Sequence, residues 1–568
     1  MNRMASELPA WPNTVAMMLQ LAGQWPQRPM LRGYRDGAWV GTNWASFGQQ
    51  VASLARHLRK SGISAGDRVL LVSENRPEFL VAEVALQAIR AVPVPAYTTN
   101  TVADHAHILS DSGAAAAIVS QKAFAAKVAQ AGALDLLVCM EPDFAQAGLR
   151  VLEWGDLVGD AAAPADIMAE AQTISPGTLA VIIYTSGTGG APKGVMLSHR
   201  AIIANCRSAF QLIRPLGFHD EVYLSFLPLS HAYEHTVGGF FLPTTGTEIV
   251  YARGIEHLAA DMATVRPSIM TMVPRILDVI RTRILFQAQR QPAWKQRLLH
   301  LAVGVGRRRA EGTASLADRL LDPVLERLVR QKVRAAFGGR LRAMMSGGAR
   351  LEPEVGRFFQ GLGLTMMQGY GQTEAGPVIS AVAPDSTRLD TVGRPLEGVE
   401  CRIAEDGEIC VRGDLVMEGY WGRPDDTALT IRDGWLHTGD IGRLDPDGAL
   451  VITDRKRDMI VLSGGDNISP ARIEGMLVAE PAIAQAVVAG EGKAGIAALL
   501  VASEGSDAAA VAVAVTAVNA RLSVTERVRR HTLVSAFSME NGLLTATQKV
   551  RRHLVIKAHH AELERMLG

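Results

Sequence analysis

The sequence has few cysteines, only four in 568 residues, which excludes a disulfide-stapled scaffold. Cys139, Cys206, Cys401 and Cys410 show none of the short spacings of zinc ligands. Cys401 and Cys410 flank the turn signal Asp406-Gly407, so they could face each other across a hairpin. Free buried thiols are the simpler expectation for these two cysteines.

Long apolar runs and an excess of one charge are also missing. No stretch of about 18 apolar residues is present, so no membrane-spanning helix is expected. Glu7, Pro9 and Pro12 interrupt any apolar core of a signal peptide. The formal net charge is +1, which predicts no nucleic-acid partner. We therefore expect a cytoplasmic protein, with peripheral contact to the inner face of the membrane and a homodimer left open.

The chain is long, and its order of predicted strands and helices is typical of an α/β protein. A single hydrophobic core stops growing at roughly 250–300 residues, so two or more domains are expected. Residues 66–97 read as a short buried strand, a helix from Pro77 to about Ile89, and a second apolar strand. This order predicts parallel strands with crossover helices. Short apolar runs of the same kind recur at Leu179–Tyr184 and Leu341–Met345, and each is followed by a glycine-rich loop.

The second half of the chain divides into further segments. Residues 275–335 are rich in Arg, Leu, Ala and Gln and predict a helical insertion. After residue 390, short strands alternate with Asp-Gly turn signals at residues 406–407, 433–434 and 447–448, which favour hairpins. A charged run at residues 454–457 suggests a domain junction, and an Ala/Val-rich helix is expected at about 507–522.

The segment Tyr184-Thr185-Ser186-Gly187-Thr188-Gly189-Gly190-Ala191-Pro192-Lys193-Gly194 carries the strongest chemical signal. Glycines let backbone N–H groups approach phosphate oxygens, and hydroxyls and a lysine add donors and charge. A Walker A loop needs Gly before its lysine and Ser or Thr after it. Here Pro192 and Gly194 hold those places, which excludes that alternative. The segment predicts a phosphate-binding loop.

A second segment is Gln368-Gly369-Tyr370-Gly371-Gln372-Thr373-Glu374. Tyr370 could stack on a base, Thr373 could donate to a phosphate, and Glu374 could hold Mg²⁺, which prefers hard oxygen ligands. Upstream, Ser346-Gly347-Gly348-Ala349 follows a strand and could line a flat adenine face. A loop with a satisfied carboxylate is the structural alternative.

Three further segments are weaker when taken alone. Asp440, in Trp435-Leu436-His437-Thr438-Gly439-Asp440, could accept from ribose hydroxyls, although Gly-Asp pairs usually make turns. The charged run Asp454-Arg455-Lys456-Arg457-Asp458 precedes Ser463-Gly464-Gly465. Leu544-Thr545-Ala546-Thr547-Gln548-Lys549 ends in a lone lysine, a residue that is usually solvent-facing.

Taken in this order, the segments resemble the AMP-forming acyl-CoA synthetase (adenylate-forming) superfamily from about residue 40 to residue 552. Within it, the chain looks most like long-chain fatty acid–CoA ligases. That likeness lies in the helical insertion after Val273-Pro274-Arg275, in Leu227-Pro228-Leu229-Ser230-His231-Ala232-Tyr233-Glu234, and in the ending from Leu544 to Arg552.

The resemblance implies a role for each motif. Thr185, Ser186, Gly187, Thr188 and Lys193 would form the phosphate-binding loop. Tyr370 would stack on adenine, Thr373 would contact the α-phosphate, and Glu374 would bind magnesium. Asp440 and Arg455 would contact the ribose. The remaining residues that would line the nucleotide site are Gly347, Gly348, Ala349, Gln368, Gly369 and Gly371. Arg457 would be the hinge residue and Lys549 the lysine that serves adenylation.

An acyl pocket is implied at His231 and Tyr233, with His235 at its mouth, where related enzymes often carry Arg or Trp. Gly238 and Gly239 lie among apolar residues of the same segment, so they could leave room for an acyl tunnel. The alternative is that these glycines only permit close helix packing. Gly189 replaces the second of two consecutive threonines in the usual loop, which removes one hydroxyl.

The implied fold is α/β, with a large multi-subdomain N-terminal domain of parallel and mixed sheets and a smaller, mobile α+β C-terminal domain. We expect boundaries of 1–454, a hinge at 455–457, and 458–568. The implied reaction uses ATP, Mg²⁺ and coenzyme A to convert a medium- or long-chain fatty acid into acyl-CoA, AMP and pyrophosphate. A fatty acyl-AMP ligase that serves a carrier protein and a non-catalytic binding protein are the rivals.

Overall fold

The fold is described from a computed structural model, which describes residues 7–159, 164–185, 191–218, 220–456, 458–464, 466–545 and 550–568. These residues form two compact units. The large unit comprises residues up to 400 together with 411–436, and the small unit comprises 401–410 and 437–568. Among the described residues, no helix is both long and apolar enough to cross a membrane.

A wholly parallel sheet forms the first part of the large unit. The two apolar runs that the sequence predicts as strands are neighbours in this sheet, Arg68–Val72 and Val92–Ala96, and both are buried because helices cover them. Its five strands, in spatial order, are Val92–Ala96, Arg68–Val72, Ala116–Val119, Leu136–Cys139 and Arg150–Glu153.

A mixed nine-stranded sheet forms the second part of the large unit. Six neighbouring strands in its middle are parallel, and antiparallel strands complete both edges. In spatial order the strands are Arg394–Pro395, Val378–Ala381, Thr365–Gly371, Ala343–Ser346, Ile269–Met272, Val222–Ser225, Glu248–Tyr251, Pro29–Arg35 and Ala38–Asn43.

The strand Leu179–Thr185 departs from the expected parallel arrangement. It pairs antiparallel with Lys193–Ser198, which in turn pairs antiparallel with Gly419–Tyr420. The sequence shows the same short apolar run for both strand types, and the direction follows from the connection. Residues 186–192 are too few for a crossover helix, so the chain must return beside the strand that it has left.

The segment expected to be a helical insertion is helical in the structure. Its helices are Pro274–Gln289, Ala293–Ala310, Leu316–Leu325 and Gln331–Ala335, with π-helical geometry over Glu326–Arg330. Leu277, Leu299 and Leu325 from these helices share one hydrophobic core with Met272 and Met344 of the nine-stranded sheet. The insertion therefore packs onto the sheet whose strand ends carry the candidate site.

Short strands follow between residues 400 and 455. Their bounds are Glu400–Ile403, Glu408–Arg412, Ile431–Arg432, Trp435–Leu444 and Leu450–Arg455. The predicted hairpin at Asp433-Gly434 is confirmed, because Arg432 pairs with Trp435 and both turn residues have positive φ, 52° and 75°. This geometry is that of the two-residue turns that match strand twist.

The small unit is an α+β structure. Its strands Ile483–Ala489, Ile496–Ala502 and Val528–Leu533 form a mixed sheet, with the helices Pro470–Val478 and Ala508–Asn519 in the same hydrophobic core. The predicted Ala/Val-rich helix is Ala508–Asn519, capped by Asp507. The hairpin of residues 437–455 also belongs to this unit, and the boundary and hinge expected at residues 454–458 stay predictions.

The remaining elements connect these layers. The pair Ile460–Val461 and Asn467–Ile468 forms a two-stranded ribbon in the small unit. The other helices and helical turns are Thr14–Gln24, Trp44–Lys60, Pro77–Ala88, Val102–Ser112, Lys122–Ala131, Trp154–Val158, Ala165–Ala171, His199–Ile213, Arg214–Leu216, Ala232–Thr244, Ile255–His257, Leu258–Val265, Pro353–Gly361, Thr373–Ala375, Pro424–Thr430, Arg552–Ala558 and His560–Leu567.

Candidate active site

The two arms of the predicted phosphate loop are fixed by strand pairing. Thr185 lies directly opposite Lys193, and Tyr184 lies opposite Gly194. A Cβ on Gly194 would approach the Ile182 side chain to 2.7 Å, so only glycine fits beside that strand. Ser186, Gly187 and Thr188 lie outside the described residues. The hairpin base thus holds Thr185 and Lys193 at the two ends of the loop.

The helix Val102–Ser112 anchors both arms from one side. Tyr184 donates its hydroxyl to Asp111 over 2.8 Å, and His107 Nε2 lies 2.9 Å from the Pro192 carbonyl oxygen. A reciprocal capping box between Thr101 and Asp104 begins this helix, so its position is well defined. Sequence reasoning missed these anchors, because they lie about 80 residues before the loop and belong to no recognisable motif.

Lys193 and Glu374 are joined through Tyr420. The Lys193 ammonium lies 5.0 Å from the centroid of the Tyr420 ring, and the Tyr420 hydroxyl donates to Glu374 Oε1 over 2.9 Å. Burial, with the nearby Glu374 carboxylate as a further cause, raises the pKa of Tyr420, so this hydroxyl stays a donor. Lys193 also pairs with Asp426 at 2.9 Å. The predicted phosphate-binding lysine and the predicted magnesium ligand therefore belong to one connected group of side chains.

Tyr420 and Asp426 are functional candidates that sequence reasoning missed. Tyr420 ends the strand Gly419–Tyr420, which pairs with the strand carrying Lys193, and Asp426 lies in the helix Pro424–Thr430 that follows. The available signal was an aromatic pair bounded by two glycines, Gly419-Tyr420-Trp421-Gly422, in a region otherwise typical of turns. Without the pairing of these strands, nothing in the sequence relates this segment to the lysine.

The second motif lies at the end of the strand Thr365–Gly371 and in the turn that follows it. The half-buried Tyr370 lies in this strand, paired with Ser380 of the neighbouring strand. The half-buried Thr373 follows the strand and begins a short 3₁₀ turn that also holds Glu374. A Cβ on Gly371 would overlap the Pro377 carbonyl, so the backbones approach here as only glycine allows. Gln368 is instead buried and donates its amide to the Thr391 carbonyl over 2.9 Å, a contact that packs the strand.

The loop after Ala343–Ser346 lies against Tyr233. The Tyr233 hydroxyl donates to the Met345 carbonyl over 2.9 Å, and a Cβ on Gly347 would come within 3.0 Å of the Tyr233 ring. Gly347 is buried, Gly348 has φ 80°, and Ala349 is exposed. The structure therefore brings the predicted adenine loop together with a predicted acyl-pocket residue.

Residues 232–244 form one continuous helical stretch, here called the wall segment, which is π-helical from His235 to Phe241. His231 caps its start, where its Nδ1 accepts from the Tyr233 N–H over 3.3 Å. Stretches of π-helix are rare and often lie at functional sites. His231 is half-buried at the start of the wall segment, and Tyr233 and the residues that follow are buried.

Glu234 lies fully buried at the centre of a hydroxyl cluster, formed by Tyr223, Ser225 and Thr271. Ser225 Oγ donates to Oε1 over 2.6 Å, Tyr223 donates to Oε2 over 2.6 Å, and Thr271 Oγ1 donates to Oε2 over 3.0 Å. Burial raises the pKa of Glu234 to about 7, although these three donors act against the rise. The cluster ties the wall segment to two strands of the nine-stranded sheet.

Gly238 has a packing role in this arrangement. A Cβ on Gly238 would lie 2.5 Å from Glu234 Oε1 and 3.1 Å from the Tyr223 ring, whereas one on Gly239 would meet only Leu80 at 3.9 Å. The alternative of close packing thus accounts for Gly238 without any substrate. Gly239 keeps room for an ordinary contact, and its place in a tunnel wall stays a prediction.

His235 does not lie at an open pocket mouth, which corrects the expectation from its sequence position. Its side chain is fully buried, and Nε2 lies 2.5 Å from the Glu83 carboxylate on the helix Pro77–Ala88. Phe240 packs against the imidazole with ring centroids 5.3 Å apart. A buried acid–imidazole contact holds His235 in the interior, where sequence position alone cannot place it.

In the small unit, Asp440 and Arg455 face each other across the hairpin. They are register partners, and Arg455 Nε lies 3.5 Å from Asp440 Oδ1. Asp440 is buried whereas Arg455 is half exposed, so the pair combines a fixed acceptor with a reachable cation. The Arg457 and Lys549 positions lie outside the described residues, and their roles stay predictions.

Neighbouring charges fix the strand that carries Asp440. Glu408 accepts from the Gly439 N–H over 2.9 Å, contacts His437 Nδ1 at 3.0 Å, and pairs with Lys456 at 3.1 Å. Burial raises the pKa of Glu408, but these contacts outweigh burial and hold it below its ordinary value. Glu408 therefore remains an anion, and its contacts with His437 and Gly439 position the backbone just before Asp440.

The donor set around Glu374 fits a magnesium ion that arrives with phosphate groups. Within the described part of the chain, no three His, Cys, Asp or Glu side chains converge as a complete metal cage. Mg²⁺ usually takes one or two carboxylates and fills its shell with water and substrate phosphates. A half-buried Glu374 beside the Thr373 hydroxyl is such a donor set.

Comparison with protein families gives two matches that together span most of the chain. The model for the AMP-binding enzyme matches residues 20–421, and the model for the AMP-binding enzyme C-terminal domain matches residues 457–567. The chain is 33% identical to the long-chain-fatty-acid–CoA ligase FadD15 of Mycobacterium bovis over 492 residues, covering 86% of this chain and 82% of that protein. The mouse long-chain-fatty-acid–CoA ligase 6 is 30% identical, with coverage of 79% and 68%.

Solved structures share the fold at lower identity. The o-succinylbenzoate coenzyme A synthetase MenE of Bacillus subtilis, in complex with AMP, aligns with a TM-score of 0.71 and 22% identity over 95% of this chain and 97% of that one. The amide bond synthetase McbA of Marinactinospora thermotolerans aligns with a TM-score of 0.72 and 24% identity over 96% and 99%. At these identities the likeness establishes the α/β architecture of a large and a smaller domain.

Proposed function

We propose that this chain, which belongs to the AMP-binding enzyme family, activates a medium- or long-chain fatty acid with ATP and transfers the acyl group to coenzyme A. The observation that carries the proposal is the line from Lys193 through Tyr420 to Glu374. It combines a cation for phosphate oxygens with a carboxylate for a phosphate-bound dication. The identity with FadD15 over most of both chains supports the fatty-acid class.

In the first half-reaction, a carboxylate oxygen of the acid attacks the α-phosphorus of ATP. The bond to the bridging oxygen breaks, pyrophosphate leaves, and an acyl-adenylate forms. Lys193 and the amides of the phosphate loop would hold the β- and γ-phosphates, and Thr373 would donate to the α-phosphate. Positioning and electrostatic stabilisation carry most of the catalysis in phosphoryl transfer.

Magnesium would be held by Glu374, and when bound it would neutralise charge on the phosphates. The chain's own residues set its place, because the Tyr420 hydroxyl orients the Glu374 carboxylate over 2.9 Å. Lys193 pairs with Asp426 at 2.9 Å, so a nucleotide phosphate has to compete for the ammonium. We expect this pair to open when ATP binds.

In the second half-reaction, the thiol of coenzyme A loses its proton and its sulfur attacks the acyl carbon. The bond between the acyl carbon and the phosphate-linked oxygen breaks, AMP leaves with that oxygen, the thiol proton is released to solvent, and the thioester forms. We propose that residues 455–457 act as a hinge and that Lys549 serves adenylation alone. Lys549→Ala should then abolish pyrophosphate exchange yet leave thioester formation from supplied acyl-adenylate intact. An equal loss in both half-reactions would contradict this division.

Chain length is the finer part of the proposal. The wall segment supplies apolar side chains at Val237, Phe240 and Leu242, and each methylene that moves from water to such surroundings contributes about 0.8 kcal/mol. Coenzyme A-dependent AMP release should therefore give a kcat/KM that rises over acids of roughly two to sixteen carbons until the tunnel ends. A flat profile or a maximum at acetate would contradict the fatty-acid assignment. Release only with a carrier protein would favour an acyl-AMP ligase.

A further inference from the structure

The helical insertion presents an apolar face that points to solvent. Leu316, Leu320, Val324 and Leu328, here called the outward face, are 78%, 80%, 52% and 47% exposed. Residues spaced by four lie along one side of a helix. The helical run is continuous from Leu316 to Ala335, and its opposite side buries Leu325 and Val329 in the core. The exposed leucines are therefore not needed for packing.

The acidic side chains of this helical run are all engaged in ion pairs with arginines. Asp318 pairs with Arg308 at 2.5 Å, Asp322 pairs with Arg330 at 2.6 Å, and Glu326 pairs with Arg334. Asp318 and Asp322 are buried. Each of the three carboxylates of this helical run, all within the described residues, is thus already neutralised by an arginine.

The basic side chains beside the outward face are exposed. Arg319, Arg327 and Lys332 are exposed to solvent and make no ion pair within the described residues. Residues 274–335 as a whole contain fourteen Lys and Arg but five Asp and Glu, in a chain with 58 and 57. The excess of one sign is local to this insertion.

We propose that the outward face, with Arg319, Arg327 and Lys332, docks the protein onto an anionic lipid surface. A helix with an apolar stripe and flanking basic residues lies in the plane of such an interface, with its apolar side chains in the acyl boundary. Each basic residue near an anionic surface contributes about 1 kcal/mol. Charge complementarity favours lipid over a second copy of this chain, because the second copy would bring the same positive charges together.

The test is flotation of the full-length protein with vesicles of phosphatidylcholine alone or with about 30% phosphatidylglycerol. We expect binding to the anionic vesicles only, and release by salt, because screening weakens surface charge attraction. The double variant Leu320→Glu/Val324→Glu should bind at least tenfold more weakly. Val513→Glu, on an exposed apolar residue of the helix Ala508–Asn519 in the small unit, is the matched control and should bind like wild type.

A second variant separates charge from apolar contact. Arg319→Gln/Arg327→Gln/Lys332→Gln should lose most of the preference for anionic lipid while its melting temperature stays unchanged. Equal binding of wild type and both variants, or no binding to either vesicle, would overturn the proposal. Sedimentation that shows a dimer abolished by Leu320→Glu/Val324→Glu would also overturn it, and would assign the face to a second copy. None of these readouts depends on which acid the enzyme activates.

Discussion

Glu374 and Glu234 are two carboxylates of the large unit that each accept a tyrosine hydroxyl, yet their surroundings are opposite. Glu374 is half exposed, and its Tyr420 partner lies beside the Lys193 ammonium. Glu234 is fully buried among the hydroxyl cluster, where burial raises its pKa to about 7. Access to solvent and a neighbouring cation thus mark the carboxylate suited to chemistry, whereas burial among neutral donors marks the one suited to architecture.

The largest effect is expected at Glu374. Glu374→Gln should slow adenylation roughly 100- to 1,000-fold and raise the magnesium requirement, because an amide loses the charge that orients a phosphate-bound dication. Since the Glu374 side chain is half exposed, the melting temperature of the variant protein should stay at the wild-type value. Pyrophosphate exchange across a magnesium titration measures the first effect. The exposed Glu397→Gln is the control, and an unchanged metal dependence would reassign the ligand.

Glu234 should instead act on stability. Glu234→Leu leaves the hydroxyls of Tyr223, Ser225 and Thr271 without their acceptor, and each buried unsatisfied group costs about 1–3 kcal/mol. We expect a loss of about 3 kcal/mol in the unfolding free energy of the large unit, measured by urea denaturation. Glu234→Gln keeps an acceptor and should lose less. Wild-type stability together with lost exchange would place Glu234 in the chemistry.

The adjacent glycines Gly238 and Gly239 test the same difference between a packing role and a role in the site. Gly238→Ala would drive a Cβ to 2.5 Å from Glu234 Oε1 and should destabilise by about 1–3 kcal/mol through overpacking. Gly239→Ala meets only Leu80 at 3.9 Å and should be nearly neutral. Melting curves and the acyl-chain profile of both variants decide the matter. If Gly238→Ala melts like wild type but accepts only shorter acids, the tunnel interpretation replaces the packing one.

A smaller effect is expected in the pH dependence of stability. Burial raises the pKa of Glu234 from its ordinary value to about 7, so between these values the folded state holds a proton that the unfolded state has released. Stability should therefore fall as pH rises through this window, and the loss is complete above the folded pKa. Glu234→Gln should flatten this slope between about pH 5 and 8, and Glu397→Gln should not. A Gln variant with the wild-type slope would contradict the raised pKa.

The sequence predicted those parts of the site that lie within contiguous motifs. Lys193, Thr373 and Glu374 could be predicted because phosphate and metal binding need hydroxyls, glycines and charges close together in the chain. Tyr420, which connects Lys193 with Glu374 in space, comes close to Lys193 only through a strand pairing, and no local sequence pattern encodes that contact. Motif chemistry is local, whereas the second layer of contacts follows from tertiary structure.

The fold shows the same division. The strands Arg68–Val72 and Val92–Ala96 were predicted with their parallel pairing, because the helix between them dictates the crossover. The strand before the phosphate loop was identified, but its antiparallel direction depends on the length of the connection. The burial of His235 against Glu83 could not be predicted, since a histidine in an apolar segment is compatible with either a pocket or a core.

The central claim is that the chain makes an acyl-adenylate, and pyrophosphate exchange tests it most directly. Purified protein with ATP, Mg²⁺ and a long-chain fatty acid, but without coenzyme A, should incorporate labelled pyrophosphate into ATP. Omission of the acid should abolish the exchange, because the label returns only through reversal of adenylate formation. Production of ADP and phosphate on addition of the acid, with no label in ATP, would contradict the account.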